Sequence, residues 1–222
     1  MQKRSKEILK IFQNNVIFSS WNNSTFKKSY IEAGNKLEEF EIHYPKGLKD
    51  FTNELIQEVE KKSHSRLELK VKNIKSLTEK ANLAISTHIE QYHDIIGNNG
   101  NSSKIILKKF VSYCSTPSNG FDSLKQIFKF SDRCWKVLND NSTDFSFYTK
   151  RLSFSVIYVN SFLYSINDKS NNLSETRDYI KRSIDGLVKL PKYKEKFITT
   201  LNKNYLIGSI AKLYSRGKKR NV

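Results

Sequence analysis

The chain has 222 residues, a formal net charge of +17, 14 Phe, 11 Tyr, 8 Gly, 3 Pro and only 2 Cys. So few Gly and Pro argue against a turn-rich β-sandwich, and two distant cysteines exclude a disulfide framework and point to reduced thiols. A mean hydropathy of −0.60, with apolar runs no longer than Val156–Val159 in the sequence, predicts a chain with no membrane span.

In chain order the periodicity is helical nearly throughout. Ile8, Leu9, Ile11, Phe12 and Val16 sit near helical spacing and predict a helix over 4–18. The N-terminus, MQKRSKEILKIF, lacks a signal-peptide core and an Arg/Ser-rich presequence. Asn22 to Thr25 stops one helix and caps the next, over 25–33, and Gly34-Asn35 ends it. A short helix over 36–42 is broken by His43-Tyr-Pro-Lys-Gly47. Leu48, Phe51, Leu55 and Val59 mark a helix over 48–62, and Leu67, Val71, Ile74, Leu77, Ala81, Ala84, Ile85 and Ile89 mark a long amphipathic stretch over 65–94, as one helix or two. A loop follows over 97–103, a helix over 104–114, a loop over 115–120 and a helix over 121–139. His88 and His93 are five residues apart, off a common helix face, and no Cys or carboxylate completes a metal set, so no metal is expected.

The stretch Ser142 to Arg151, STDFSFYTKR, opens a helix over 144–167. Ser142 or Thr143 can cap it, and Asp144 favours the positive end of its dipole. One apolar stripe runs through Phe145, Tyr148, Leu152, Val159, Phe162 and Ile166, a second through Phe147, Phe154, Ile157, Tyr158 and Tyr164. A helix apolar on two sides is buried on two sides, one against its own core and the other against a subunit, ligand or partner, unless it is simply central. A polar loop over 167–172, a helix over 173–189 and, past Pro191, a helix over 192–216 complete the chain. Strand-like alternation is absent, so the fold class is all-α.

Residues 181–222 hold 12 basic and 2 acidic side chains, so more than half of the excess charge sits in the last fifth of the chain. The final helix combines Phe197, Leu201, Tyr205 and Leu206 with Lys203 and Lys212. It is too polar to span a bilayer and suited to lie in an anionic membrane surface, where each cation contributes about 1 kcal/mol. The bland reading is a helix docked on its own core with a solvated basic face.

Ser131-Asp-Arg-Cys-Trp135, the Ser142–Arg151 run, Leu163-Tyr164, Asp168-Lys-Ser170 and Arg182 together resemble the signature block of the coenzyme Q biosynthesis protein nine family. Phe18-Ser-Ser-Trp21, Gly34 and Tyr44-Pro-Lys-Gly47 are similar to the front of that family, which usually has Trp where this chain has Phe147. The resemblance implies a TetR-like helical fold without DNA-binding function, and a non-enzymatic accessory to ubiquinone synthesis. It implies an isoprenoid lipid or quinone intermediate as bound ligand, no other cofactor, and the di-iron demethoxyubiquinone hydroxylase as partner. Carried over by position, the partner patch is Asp144, Phe147, Tyr148 and Arg151. By analogy a homodimer forms through the helices at 145–166 and 173–189. The location implied is peripheral on the inner membrane, facing the cytoplasm in a bacterium or the matrix in a mitochondrion.

The expected division is a degenerate helix-turn-helix front over 1–62, a lipid-binding domain over 63–190 and a membrane-surface tail over 191–222. Helix phase makes Ile127, Phe128, Trp135, Phe154, Ile157, Tyr158 and Phe162 the pocket candidates. No catalytic constellation is visible. The alternative is a TetR-type DNA-binding regulator. Against it, the would-be reading helix over 35–43 carries Glu38, Glu39 and Glu41 with one Lys, and phosphates would repel it.

Overall fold

The computed structural model describes residues 3–100, 102–138 and 145–188. Among them are nine α-helices and no strand. The described residues up to Ile184 form one compact unit. The membrane-surface residues expected at Phe197, Leu201, Lys203, Tyr205, Leu206 and Lys212 lie outside the described residues, as does Asp144.

The front is built around aromatic rings. Helix α1 (Lys3–Phe18) buries Ile8, Leu9, Phe12 and Val16, and α2 (Asn23–Glu32) buries Phe26 and Tyr30. Asn22 caps α2 by accepting from the Thr25 amide at 2.9 Å. A 3₁₀ turn at Leu37–Glu39 then leads into α3, which is only Phe40–His43. Phe12 meets Trp21 edge-on at 4.8 Å and Phe26 stacks on Phe51 at 4.6 Å, with Phe40 and Tyr44 closing the cluster. Gly47 has φ +58°, and a Cβ there would lie 2.3 Å from Asn23 Oδ1. That oxygen accepts from the Leu48 amide at 2.9 Å, so only glycine lets the next helix be capped this way.

Helix α4 (Leu48–Val71) runs nine residues beyond the expected end at 62, and α5 (Leu77–Tyr92) starts at a cap that hydrophobic periodicity does not reveal. Ser76 Oγ accepts from the Glu79 amide at 3.3 Å, in a Ser-x-x-Glu sequence that marks a helix start. The break in the long amphipathic stretch is therefore at 72–76. After α5 a π-helical turn, His93–Gly97, sets His93 Nε2 2.9 Å from Ser165 Oγ.

Helix α6 (Ser103–Cys114) is tied to α1 by Lys109, whose Nζ donates to the carbonyls of Val16 at 2.8 Å, Ile17 at 3.0 Å and Ser19 at 2.5 Å. Those are carbonyls at the end of α1, which would otherwise lack donors. Helix α7 (Pro117–Val137) begins four residues before the expected 121, because Pro117 takes the first-turn position where a missing amide hydrogen costs nothing. Helix α8 is Phe145–Ser165 and α9 is Ser174–Val188. Asp168 caps α9: one carboxylate oxygen accepts from the Thr176 amide at 2.8 Å and its hydroxyl at 2.5 Å, the other from the Ser170 amide at 2.7 Å. Burial alone would raise the Asp168 pKa, but these hydrogen bonds outweigh it and hold the carboxyl below its ordinary value.

Helix α8 is buried along Phe154, Ile157, Tyr158 and Phe162, while Val156, Leu163 and Tyr164 are exposed. Ser161 and Ser165 are fully buried within the same helix. Small hydroxyls there allow close packing, and Ser165 donates back to the Phe162 carbonyl at 2.7 Å.

Candidate functional site

Five helices, α4 to α8, enclose a cavity of about 340 Å³. Ile56 and Glu60 line it from α4, His88 and Tyr92 from α5, Phe110, Val111 and Cys114 from α6. Ser123, Leu124, Gln126, Ile127 and Phe130 come from α7, and Tyr158, Val159, Phe162 and Leu163 from α8. Leu124 is 66 % exposed and Leu163 43 % exposed, so these two mark where the apolar lining reaches the surface. The volume lies in the range of small-molecule pockets, about 300–1,000 Å³, and the walls have the mainly apolar and aromatic character such pockets share.

The rings are in mutual contact. His88 stacks on Phe130 at 3.8 Å between centroids, Phe130 meets Tyr158 at 4.7 Å, and Tyr92 meets Phe162 edge-on at 5.1 Å. His88 Nδ1 lies 3.0 Å from the Tyr158 hydroxyl. Burial lowers the His88 pKa to about 3, with a smaller push from Arg133, so the imidazole is neutral at physiological pH. Burial raises the Tyr158 hydroxyl well above its ordinary value and the Cys114 thiol to about 12. Cys114 is thus a protonated, inert wall residue. The Glu60 carboxylate is paired with the Arg133 guanidinium, which leaves the lining without an unpaired charge.

Of the residues that helix phase singles out, Ile127, Tyr158 and Phe162 are in this lining. Phe154 and Ile157 are core residues at 3 % and 9 % exposure, and Phe128 and Trp135 are half-buried. Phe154 packs behind Phe130 at 6.0 Å and edge-on to Trp135 at 6.1 Å. The contributions of α4, α5 and α6 have no counterpart in the sequence reading. His88 and Tyr92 are one helical turn apart on α5, and that spacing was the available signal.

The start of α8 forms a second feature. Phe147 and Tyr148 are half-buried and meet edge-on at 5.1 Å. Arg151 is 1 % exposed, with its guanidinium 3.3 Å from the Phe147 ring centroid. Its Nε donates to Asp132 at 2.7 Å and its Nη1 to the Phe147 carbonyl at 3.2 Å. Ser131 donates to the Arg151 carbonyl at 2.8 Å, and Lys136 meets the other Asp132 oxygen at 2.8 Å. Burial pulls the Asp132 pKa up, but Lys136 and Arg151 more than offset this and hold it below the usual carboxylate range. Arg151 therefore sits behind the surface and fixes the Phe147 ring, while Phe147 and Tyr148 supply the accessible part of the corner. Three residues of the Ser131-Asp-Arg run have distinct tasks, since Arg133 reaches Glu60 at the cavity wall instead.

The family model for COQ9 matches residues 121–191, which include most of α7 and all of α8 and α9. Across that segment the chain is similar to the COQ9 family. The ubiquinone biosynthesis protein coq9, mitochondrial, of Schizosaccharomyces pombe is 35% identical over 78 residues, 35% of this chain and 31% of that protein. The probable ubiquinone biosynthesis protein coq9, mitochondrial, of Dictyostelium discoideum is 25% identical over 119 residues, 54% of this chain and 36% of that protein. The chain thus spans about a third of the length of these COQ9 relatives. In structure, a TetR transcriptional regulator from Nitrosomonas europaea superposes with a TM-score of 0.66 at 10% identity, covering 85% of this chain and 100% of that one. The COQ9 segment is thus set in an all-α, TetR-like fold. The segment that would read DNA in such a fold is here a 3₁₀ turn and the four residues of α3, with Glu38 and Glu41 exposed. His43, at its end, is held by Arg4 Nη1 at 2.5 Å and by the Tyr30 hydroxyl at 2.6 Å.

Proposed function

We propose that this protein is a lipid-binding accessory of ubiquinone biosynthesis, which shelters an isoprenoid quinone intermediate between α4 and α8 and presents it to the di-iron demethoxyubiquinone hydroxylase. The observation that carries the reading is the 340 Å³ apolar cavity, walled in part by α7 and α8, the helices matched by the COQ9 model. A polyprenyl chain stays in the bilayer because each buried CH₂ contributes about 0.8 kcal/mol. A protein that delivers such a molecule must cover its apolar surface and hold its ring near the enzyme. The cavity does the first, and the Phe147–Tyr148 corner does the second.

No described helix is long and apolar enough to cross a membrane. Both curated relatives carry "mitochondrial" in their names, which supports work on the matrix side of the inner membrane over the bacterial setting. The basic residues after Pro191 supply the attraction to that surface.

Native mass spectrometry and lipid extraction of the purified protein test the cargo, with a co-purified quinone precursor as the expected result. Phe147→Ala with Tyr148→Ala tests the corner. The double variant is expected to lose at least tenfold in affinity for the hydroxylase in a titration while its helical circular dichroism is unchanged. Full affinity in a folded double variant overturns the assignment of the corner.

A further inference from the structure

We propose that His88, held by Tyr158, is the hydrogen-bonding position that reads the head of the bound molecule, and that the head is an uncharged ring bearing a carbonyl or hydroxyl oxygen. This rests on the carrier reading above and specifies its ligand chemistry.

The argument starts from hydrogen-bond capacity. A neutral imidazole has one donor and one acceptor nitrogen. At His88 one nitrogen is engaged with the Tyr158 hydroxyl at 3.0 Å, and Nε2 has no protein partner. The residue is 2 % exposed and its ring is part of the cavity wall. A buried polar atom without a partner costs about 1–3 kcal/mol, so a ligand oxygen that meets it recovers that cost. Nε2 itself has under 1 Å² of accessible surface, so a ligand oxygen reaches it only as neighbouring wall side chains move aside.

The surroundings select the rest of the head. Phe130 stacks on His88 at 3.8 Å, and Tyr92 and Tyr158 each lie 5.2 Å from it, so three aromatic rings flank the position. A flat ring packs there in offset or edge geometry. The charge balance excludes an anionic head. Glu60 is spent on Arg133, and no lysine or arginine is in the lining. A phosphate or carboxylate would enter unpaired, at a cost far above that of a neutral oxygen.

Isothermal titration with three probes tests this: a decyl-substituted benzoquinone, decylbenzene and decanoic acid, each against the full chain. The expected order is quinone tightest, decylbenzene about tenfold weaker, decanoate weakest. His88→Phe keeps the stack on Phe130 and removes both nitrogens. It is expected to weaken the quinone about tenfold and leave decylbenzene unchanged, as one lost hydrogen bond predicts. Tyr158→Phe, which leaves the imidazole in place and frees its orientation, serves if the first variant fails to fold and is expected to shift the quinone alone. Between pH 5 and 8 wild-type affinity for the quinone should be flat. Equal binding of quinone and decylbenzene, or equal losses for both in the variants, overturns the head-reading role while the carrier reading stands. Absence of binding by both probes to the wild type overturns both, and preference for decanoate overturns the uncharged head.

Discussion

Arg151 shows how far a side chain's task depends on what surrounds it. On the sequence it is the last of two adjacent cations in an aromatic corner; in the fold it is 1 % exposed, bonded to Asp132 and set against the face of Phe147. Removing Arg151 leaves the buried Asp132 carboxylate with only the exposed Lys136 as its ionic partner among the described residues, a loss toward the low end of the range for a broken buried pair, about 3 kcal/mol. Arg151→Met is therefore expected to lower unfolding free energy by that order in urea titration, with a larger effect than Lys136→Met, whose side chain is 69% exposed. A surface-contact role alone would leave the urea midpoint unmoved. The resemblance brings Arg151 to notice but not its depth, because burial depends on α7 lying across the start of α8. The same limit applies to the cavity. Helix phase identifies Ile127, Tyr158 and Phe162, which face it, together with Phe154 and Ile157, which pack in the core behind. Periodicity separates the inside of a helix from its outside, and does not separate lining from core.

At the scale of elements, helix type and order were legible and helix ends were legible only where a cap was recognised. Gly34 ends α2 with φ +80°, as its position after the apolar run suggests. Periodicity allows one helix or two over 65–94 and does not place the break at 72–76, because Val71, Ile74 and Leu77 continue an apolar spacing straight through it. The cap at Ser76 decides the matter, since a side-chain acceptor for an orphan amide stabilises a helix start by about 1 kcal/mol. Ser76→Ala should accordingly lower stability by about that amount, and Ser76→Asp should retain it, both read from urea midpoints at constant slope. A loss well above 2 kcal/mol would mean that the serine packs rather than caps. Periodicity also gives no sign of the π turn at His93–Gly97, whose apolar Ile95 and Ile96 fit an α-helix equally well.

For the whole molecule, charge is the property that sequence conveys best, because it is a sum. The excess over residues 181–222, 12 basic against 2 acidic, is what places the proposed membrane contact at the end of the chain. Truncation after Pro191 is expected to abolish sedimentation with vesicles containing phosphatidylserine or cardiolipin, while the full chain pellets at low salt and is released as ionic strength rises. Unchanged pelleting of the truncated chain would place the membrane contact elsewhere. The TetR-like architecture was implied by the family resemblance, yet architecture alone does not assign a task. The short α3, with the carboxylates of Glu38, Glu39 and Glu41 in and just before it, counts against a reader of DNA, a point on which the topology is silent.

Lys109 has a consequence for how that architecture can move. One ammonium group grips three carbonyls at the end of α1 from its seat on α6. Turning either helix against the other breaks several charged bonds at once, so the front and the helices around the cavity are latched together. Any shift of α6 therefore carries the end of α1 along with it, so a change in the cavity wall on that side is felt at the front.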